Sequence, residues 1–252
     1  MQRVLTPAER LIVAADFKPL STAGDCPQGR MWVVEQVMAL ANMLRGTGVY
    51  LKVNSALRAH GYGLIDYIHT CGLEVFADLK LFDIGETLST DGVLLRETGP
   101  EILTVSCMTG TEALKALKKQ LPDTEVLGVT VLTTIRDPEC SGLFHYSTVL
   151  DYVCRLASMA DSAGMDGIIC SAKEAKAVRQ FIRPTMTINT PGIRPVWTIV
   201  AGDDQNPERI MTPTEAIKAG VTRIVLGRPI IGAKSPYDAV MRTIDEIASA
   251  MA

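Results

Sequence analysis

The chain has 252 residues, of which 47% are hydrophobic and 21% are charged, and its formal net charge is −3. This length suffices for a large core, and the composition excludes an intrinsically disordered chain. The small negative net charge offers no basic surface for nucleic acid, so an anionic small-molecule substrate would need a local positive site.

The N-terminal segment lacks the apolar run of a signal peptide, and no segment is long enough to span a membrane. The six cysteines are scattered without a C-x-x-C pair, and the three histidines show no metal-ligand spacing. We therefore expect a reduced, soluble, cytoplasmic protein that has no zinc site and no contact with a membrane.

Short apolar runs alternate with amphipathic segments along the chain. The predicted strands are 11–16, 49–53, 74–79, 102–106, 126–132, 167–170, 186–189 and 223–226. Predicted helices between them include 31–44, 111–120, 147–163 and 172–181. Apolar strands that alternate with helices indicate a parallel sheet.

Eight such units in about 250 residues are the number found in a (β/α)8 barrel, or TIM barrel. We predict one domain over residues 1–252. A doubly wound open sheet is the alternative, and the absence of a G-x-G-x-x-G motif after the first strand disfavours its dinucleotide-binding form. Two long segments, 18–29 and 194–209, follow strands one and seven, where barrel enzymes have active-site loops.

Charged residues occur at the carboxyl ends of the first three predicted strands. Asp16 ends strand one, Lys52 lies in strand two, and Asp78 and Lys80 end strand three, with Asp83 just beyond. Alternate side chains of an extended strand share a face, so Asp78 and Lys80 should project together, and Lys52 can approach from the neighbouring strand. A structural ion pair is the alternative for a D-x-K pattern taken alone.

The combination of these charges favours catalysis over a structural role. Asp16 alone could be a turn residue, and Lys52 alone could extend along apolar surface to reach solvent. Together, lysines flanked by carboxylates remain charged and suit a reaction in which negative charge moves along the substrate. A lysine ammonium can stabilise a developing carbanion and then deliver a proton to it.

Two glycine- and arginine-containing segments follow strands seven and eight, Thr190-Pro-Gly-Ile-Arg194 and Leu226-Gly-Arg-Pro-Ile230. Barrel enzymes often bind phosphate between these two loops. Gly227 allows close backbone approach, and the guanidinium groups of Arg194 and Arg228 match phosphate geometry. Gln205 in the seventh loop could add a neutral donor. A surface arginine beside a turn glycine is the alternative reading.

Thr133 and Thr134 follow strand five and should face the same mouth of the barrel. Either hydroxyl could bond a substrate group, although a threonine in a strand usually only packs.

These motifs together resemble the orotidine 5′-phosphate decarboxylase family over nearly the whole chain. The D-x-K-x-x-D-I-x-x-T element at residues 78–87 is highly specific in this context. The other matching segments are Val13-Ala-Ala-Asp16, Leu51-Lys-Val53, Val129-Thr-Val-Leu-Thr133, Thr190-Pro-Gly-Ile-Arg194, Gly202-Asp-Asp-Gln205 and Val225-Leu-Gly-Arg-Pro229.

The resemblance implies a (β/α)8 barrel that converts orotidine 5′-monophosphate (OMP) to UMP and CO2, the last step of de novo UMP biosynthesis, without metal or cofactor. It implies that Asp16 binds a ribose hydroxyl and that Lys52 joins the charged array. Asp78 would lie near the departing carboxylate, and Lys80 would protonate C6.

The resemblance also implies a homodimer, in which Asp83, with Ile84 and Thr87, reaches across the interface into the partner's site. The positions that would contact the rest of the nucleotide are Thr133 for the pyrimidine region and Arg194, Gln205, Gly227 and Arg228 for the phosphate.

Two other functions are weighed against this one. A Mg²⁺-dependent keto-sugar-phosphate decarboxylase or hexulose phosphate aldolase of the same superfamily would share the D-x-K-x-x-D element. Mg²⁺ requires oxygen ligands, so the ammonium of Lys52 disfavours this alternative. A non-catalytic nucleotide-binding protein is the other alternative, and nothing in the sequence favours it.

Overall fold

The computed structural model describes residues 4–19, 29–198 and 211–252. In these ranges eight parallel strands form a closed barrel in which each strand pairs with the next and β8 pairs with β1. The strands are β1 (Leu11–Ala14), β2 (Tyr50–Val53), β3 (Glu74–Leu81), β4 (Ile102–Ser106), β5 (Glu125–Val129), β6 (Gly167–Ile169), β7 (Thr187–Pro191) and β8 (Arg223–Leu226). The predicted (β/α)8 barrel is confirmed, and the open sheet is wrong.

At least one helix follows each strand. The helices are α1 (Gly29–Met43), α2 (Ser55–His60), α3 (Gly63–Thr70), α4 (Gly85–Thr98), α5 (Thr111–Gln120), α6 (Asp137–Phe144), α7 (Val149–Ser162), α8 (Ala175–Val178), α9 (Pro213–Lys218), α10 (Arg228–Ile231) and α11 (Pro236–Met251). In the ranges that the structure describes, none of these helices is long and apolar enough to cross a membrane.

The predicted strand five extends to residue 132, but β5 ends at Val129. Its neighbour β6 has only three residues, and Ile169 at the end of β6 lies opposite Val129. One further bond joins Thr130 N–H to the Ile169 carbonyl at 3.3 Å, after which the chain has no strand to pair with on that side. The length of the neighbouring strand therefore limits β5, despite its apolar continuation.

The barrel interior contains an apolar layer, which comprises Ile12, Ala14, Tyr50, Phe76, Ile102, Leu127 and Val225. A second and larger cluster fills the space between the strands and the helices. Because side chains alternate along each strand, every second residue faces the interior. The interior residues toward the carboxyl ends of the strands therefore form the floor and wall of any site at that end.

A largely buried polar cluster lies at the opposite, amino-terminal end of the barrel. We call Glu125, Thr187, Asn189 and Arg223 the basal network. Arg223 donates from Nη1 and Nη2 to the two carboxylate oxygens of Glu125 at 2.9 and 2.8 Å. Thr187 donates to the same carboxylate at 2.5 Å, and Arg223 Nη1 also donates to Asn189 Oδ1 at 3.3 Å. These contacts pair both Nη atoms of a guanidinium that is almost completely buried, while its Nε is buried without a hydrogen-bond partner.

Candidate active site

Four charged side chains form a continuous chain of contacts at the carboxyl ends of β1 to β3. We call Asp16, Lys52, Asp78 and Lys80 the charged array. Lys52 Nζ lies 3.0 and 2.8 Å from the two carboxylate oxygens of Asp16 and 3.0 Å from Asp78 Oδ2. Lys80 Nζ lies 2.6 Å from Asp78 Oδ1. The structure thus brings together all four residues in the order of alternating charge.

The centre of the array is buried, while its two ends reach solvent. The side chains of Lys52 and Asp78 are each 8% exposed, whereas those of Lys80 and Asp16 are 35% and 51% exposed. Burial acts to lower the pKa of Lys52, but the charges of Asp78 and Asp16 outweigh it and raise that pKa above 10.5. Burial acts to raise the pKa of Asp78, but Lys52 and Lys80 outweigh it and lower that pKa below 3.8. Both groups are therefore ionised at neutral pH.

The prediction that Asp78 and Lys80 project together is correct, but its premise of a regular strand is wrong. Lys80 has a φ of +47°, in the left-handed region that side-chain-bearing residues rarely adopt. The pairing of β3 with β4 passes from Ala77 opposite Leu103 directly to Leu81 opposite Val105. Lys80 therefore lies in a β-bulge, an irregularity that is common beside active sites.

Sequence reasoning missed Thr104, which contacts the array from β4. Its hydroxyl lies 2.9 Å from Asp78 Oδ1 and 3.0 Å from the backbone nitrogen of Lys80. A threonine in a strand normally indicates packing. Its position in the strand could have identified it. Thr104 lies two residues after the interior residue Ile102, so its side chain faces the barrel interior, as the side chain of Asp78 does.

The array lines one side of a cavity of about 610 Å³ at the carboxyl ends of the strands, within the size range of small-molecule sites. The apolar residues Phe76, Ile169 and Val225 also line it. The cavity brings together the array and four further predicted residues, which are Thr133, Arg194, Gly227 and Arg228.

The phosphate-side residues are contributed by the segments after β7 and β8. Arg194 is buried, and its backbone N–H donates to the Met211 carbonyl at 3.0 Å, which anchors the start of the seventh loop. Gly227 precedes α10, and Arg228 is the first residue of that helix. Gln205, also predicted here, lies outside the described residues. Thr134 lines the cavity as Thr133 does, so the structure does not separate the two.

The lining of this cavity does not include three of the predicted residues, Asp83, Ile84 and Thr87. They lie where β3 leads into α4, and all three are exposed. Asp83 Oδ1 accepts a hydrogen bond from the Ile84 N–H at 2.7 Å. The side chains of Ile84 and its neighbour Phe82 are 68% and 66% exposed, so this turn presents an apolar surface beside a carboxylate.

The sequence and the fold of this chain are similar to those of known proteins. The model of the family described as "Orotidine 5'-phosphate decarboxylase / HUMPS family" matches residues 9–243. Orotidine 5'-phosphate decarboxylase from Methylobacterium sp. (strain 4-46) is 35% identical, over 99% of this chain and 100% of that protein. The enzyme of that name from Geobacter sp. (strain M21) is 36% identical, over 79% of this chain and 85% of the relative.

Among solved structures, orotidine 5'-phosphate decarboxylase from Lactobacillus acidophilus superposes with a TM-score of 0.77 and 27% identity, covering 95% of this chain and 99% of that one. The family match over residues 9–243 spans all eight strands of the barrel and includes the charged array and both arginines. The chain belongs to the orotidine 5'-phosphate decarboxylase / HUMPS family.

Proposed function

We propose that this chain decarboxylates OMP to UMP and CO2 without a metal ion or cofactor, as the last step of de novo UMP biosynthesis. The observation that carries the proposal is the buried contact of Asp78 with both Lys52 and Lys80, at 3.0 and 2.6 Å, in a cavity that also contains Arg194 and Arg228. The family match supports the same substrate.

In the proposed reaction the bond between C6 and the carboxylate carbon breaks, CO2 leaves, and the electron pair stays on C6. Lys80 then transfers an ammonium proton to C6 and recovers a proton from water. Asp78 lies beside the departing carboxylate and holds both ammonium groups in place before the reaction. Fixed charges of this kind stabilise developing charge without having to reorganise.

The remaining residues bind the substrate in this proposal. Asp16 accepts a hydrogen bond from a ribose hydroxyl, and Thr133 contacts the pyrimidine. Arg194 and Arg228 bind the phosphate with guanidinium donors, and the backbone at Gly227 approaches it closely. Gln205 is also proposed to bind the phosphate, and this assignment rests on the sequence alone.

The main alternative is a Mg²⁺-dependent enzyme of the same superfamily. Lys52 Nζ lies within 3.0 Å of carboxylate oxygens of both Asp16 and Asp78, so an ammonium fills the space where a divalent cation would bridge them. Mg²⁺ takes oxygen ligands in octahedral geometry and is repelled by a fixed positive charge. This arrangement supports the metal-independent reaction.

Protein treated with EDTA is expected to convert OMP at its full rate. The measurement is the loss of orotidine absorbance after OMP is added, with and without restored Mg²⁺. Complete loss of activity in EDTA that Mg²⁺ restores would overturn the metal-independent assignment. No conversion of OMP under either condition would refute the proposed substrate.

We also propose a homodimer in which Asp83, Ile84 and Thr87 complete the cavity of the partner subunit. All three are exposed and lie outside the cavity of their own chain, and Phe82, which directly precedes Asp83, is exposed as well. An exposed apolar surface around a carboxylate fits a protein interface better than an isolated surface turn.

Mixing Asp83→Ala protein with Lys80→Ala protein is expected to restore activity that each variant alone lacks. In a hybrid dimer one site receives intact Lys80 from one subunit and intact Asp83 from the other. Random subunit exchange gives hybrids in half of the dimers, each with one intact site, so about a quarter of wild-type turnover should return. The control is each variant taken alone through the same subunit-exchange procedure. No gain after verified exchange would contradict a site shared between subunits.

A further inference from the structure

The irregular pairing of β3 with β4 leaves three residues of β3, Asp78 to Lys80, opposite the single residue Thr104 of β4. Backbone groups in such a bulge lose their regular partners on the neighbouring strand. In this bulge, two of the backbone groups form hydrogen bonds with side chains instead. Arg58 donates to the Leu79 carbonyl at 3.0 Å, and the Thr104 hydroxyl accepts from the Lys80 N–H at 3.0 Å.

The chemistry of the two partners fixes the direction of both Thr104 hydrogen bonds. A backbone N–H can only donate, so the oxygen of Thr104 must accept from Lys80. An ionised carboxylate can only accept, so the hydroxyl proton of Thr104 must point to Asp78 Oδ1, 2.9 Å away. Thr104 is completely buried, so no solvent competes for either bond.

These bonds leave little freedom for the Asp78 carboxylate. Its Oδ1 accepts from Lys80 Nζ and Thr104 Oγ1, and its Oδ2 accepts from Lys52 Nζ. The three donors come from β3, β4 and β2. The two lysines reach Asp78 on long flexible side chains, whereas the short side chain of Thr104 is fixed by the strand itself.

We propose that Thr104 is a positioning residue for the reaction proposed above, since it fixes the rotation of the Asp78 carboxylate and the left-handed backbone of Lys80. The inference rests on the proposed function, in which the Lys80 ammonium must point at C6. One buried hydroxyl thereby sets both the backbone from which Lys80 extends and the oxygen that its ammonium contacts. Thr104 does not touch substrate in this proposal.

The test compares Thr104→Val, which keeps the side-chain shape, with Thr104→Ser, which keeps the hydroxyl. In Thr104→Val the kcat for OMP should fall about 10- to 100-fold, because a small misplacement of a catalytic group is costly. Its KM should change less than about threefold, since the binding residues are unaltered. Thr104→Ser should retain kcat within about threefold, because both hydrogen bonds can form.

Thr243→Val is the matched control, because Thr243 is also completely buried and its hydroxyl donates to the Ala239 carbonyl in α11. It should lose stability without losing kcat. If Thr104→Val does not fold, Thr104→Ala removes the same two bonds without added bulk and carries the same expectation. Wild-type kcat in the folded hydroxyl-free variant would overturn the positioning role.

A crystal structure of Thr104→Val separates this inference from the proposed function. We expect the contact between Lys80 Nζ and Asp78 Oδ1 to lengthen from 2.6 Å or to be replaced. An unchanged contact would refute the positioning role even if the wild-type protein proved inactive on OMP. Conversely, a wild-type protein that does not convert OMP would refute the function and leave the structural result standing.

Discussion

Lys80→Ala is expected to lower the turnover of OMP by about 10²- to 10⁴-fold, the usual contribution of a positioned proton donor. The substitution removes the proposed donor to C6. Asp78 would still be compensated by Lys52 at 3.0 Å and by Thr104 at 2.9 Å, so the buried carboxylate would not be left alone. We therefore expect a folded protein that still binds UMP.

The measurement is kcat by loss of orotidine absorbance, together with UMP affinity by calorimetry. Lys115→Ala is the control, since Lys115 lies on α5 and pairs with exposed Glu112 at 2.9 Å. That variant should match the wild type in both measurements. Near wild-type turnover in Lys80→Ala would show that Lys80 is not the proton donor.

The second large effect concerns stability. Glu125→Gln is expected to reduce the free energy of unfolding by about 3–5 kcal/mol, the usual cost of breaking a buried ion pair from one side. The Arg223 side chain is only 5% exposed and would lose the charge that both of its Nη atoms contact. Burial acts to lower the pKa of Arg223, but Glu125 outweighs it and raises that pKa, so the guanidinium stays charged.

Urea denaturation of both proteins measures this difference. The double variant Glu125→Leu with Arg223→Met is the matched comparison, because replacing both charges by apolar groups often restores stability. The double variant should recover most of the free energy of unfolding that Glu125→Gln loses. A loss below about 1 kcal/mol in Glu125→Gln would mean that the basal network behaves like a surface ion pair.

The alternation of apolar strands and amphipathic helices was sufficient to predict the barrel, because each strand is buried on both faces. The register of the charged residues was sufficient to predict that they come together at one end of the barrel, as most of the candidate site requires. Asp16, Lys52 and Asp78 face the interior since each follows an interior residue by two positions, as Lys52 follows Tyr50.

Features that depend on pairing between strands could not be read from a single segment. The bulge at Lys80 arises from a mismatch between β3 and β4, and no propensity in residues 78–80 reveals it. Thr104 was missed for the same reason, because its role depends on which residues lie opposite it. The early end of β5 likewise depends on the length of β6.

The apolar layer of the barrel interior has one more consequence. Ile12, Phe76, Ile102 and Leu127 are at most 1% exposed and lie beneath the charged array, so in the described part of the chain they keep water from reaching the array through the barrel interior. In the proposed function, a nucleotide that enters the cavity at the carboxyl ends of the strands displaces the water on that side of the array. As that water leaves, the local dielectric constant falls, and the electric field of the charged array at the substrate becomes stronger.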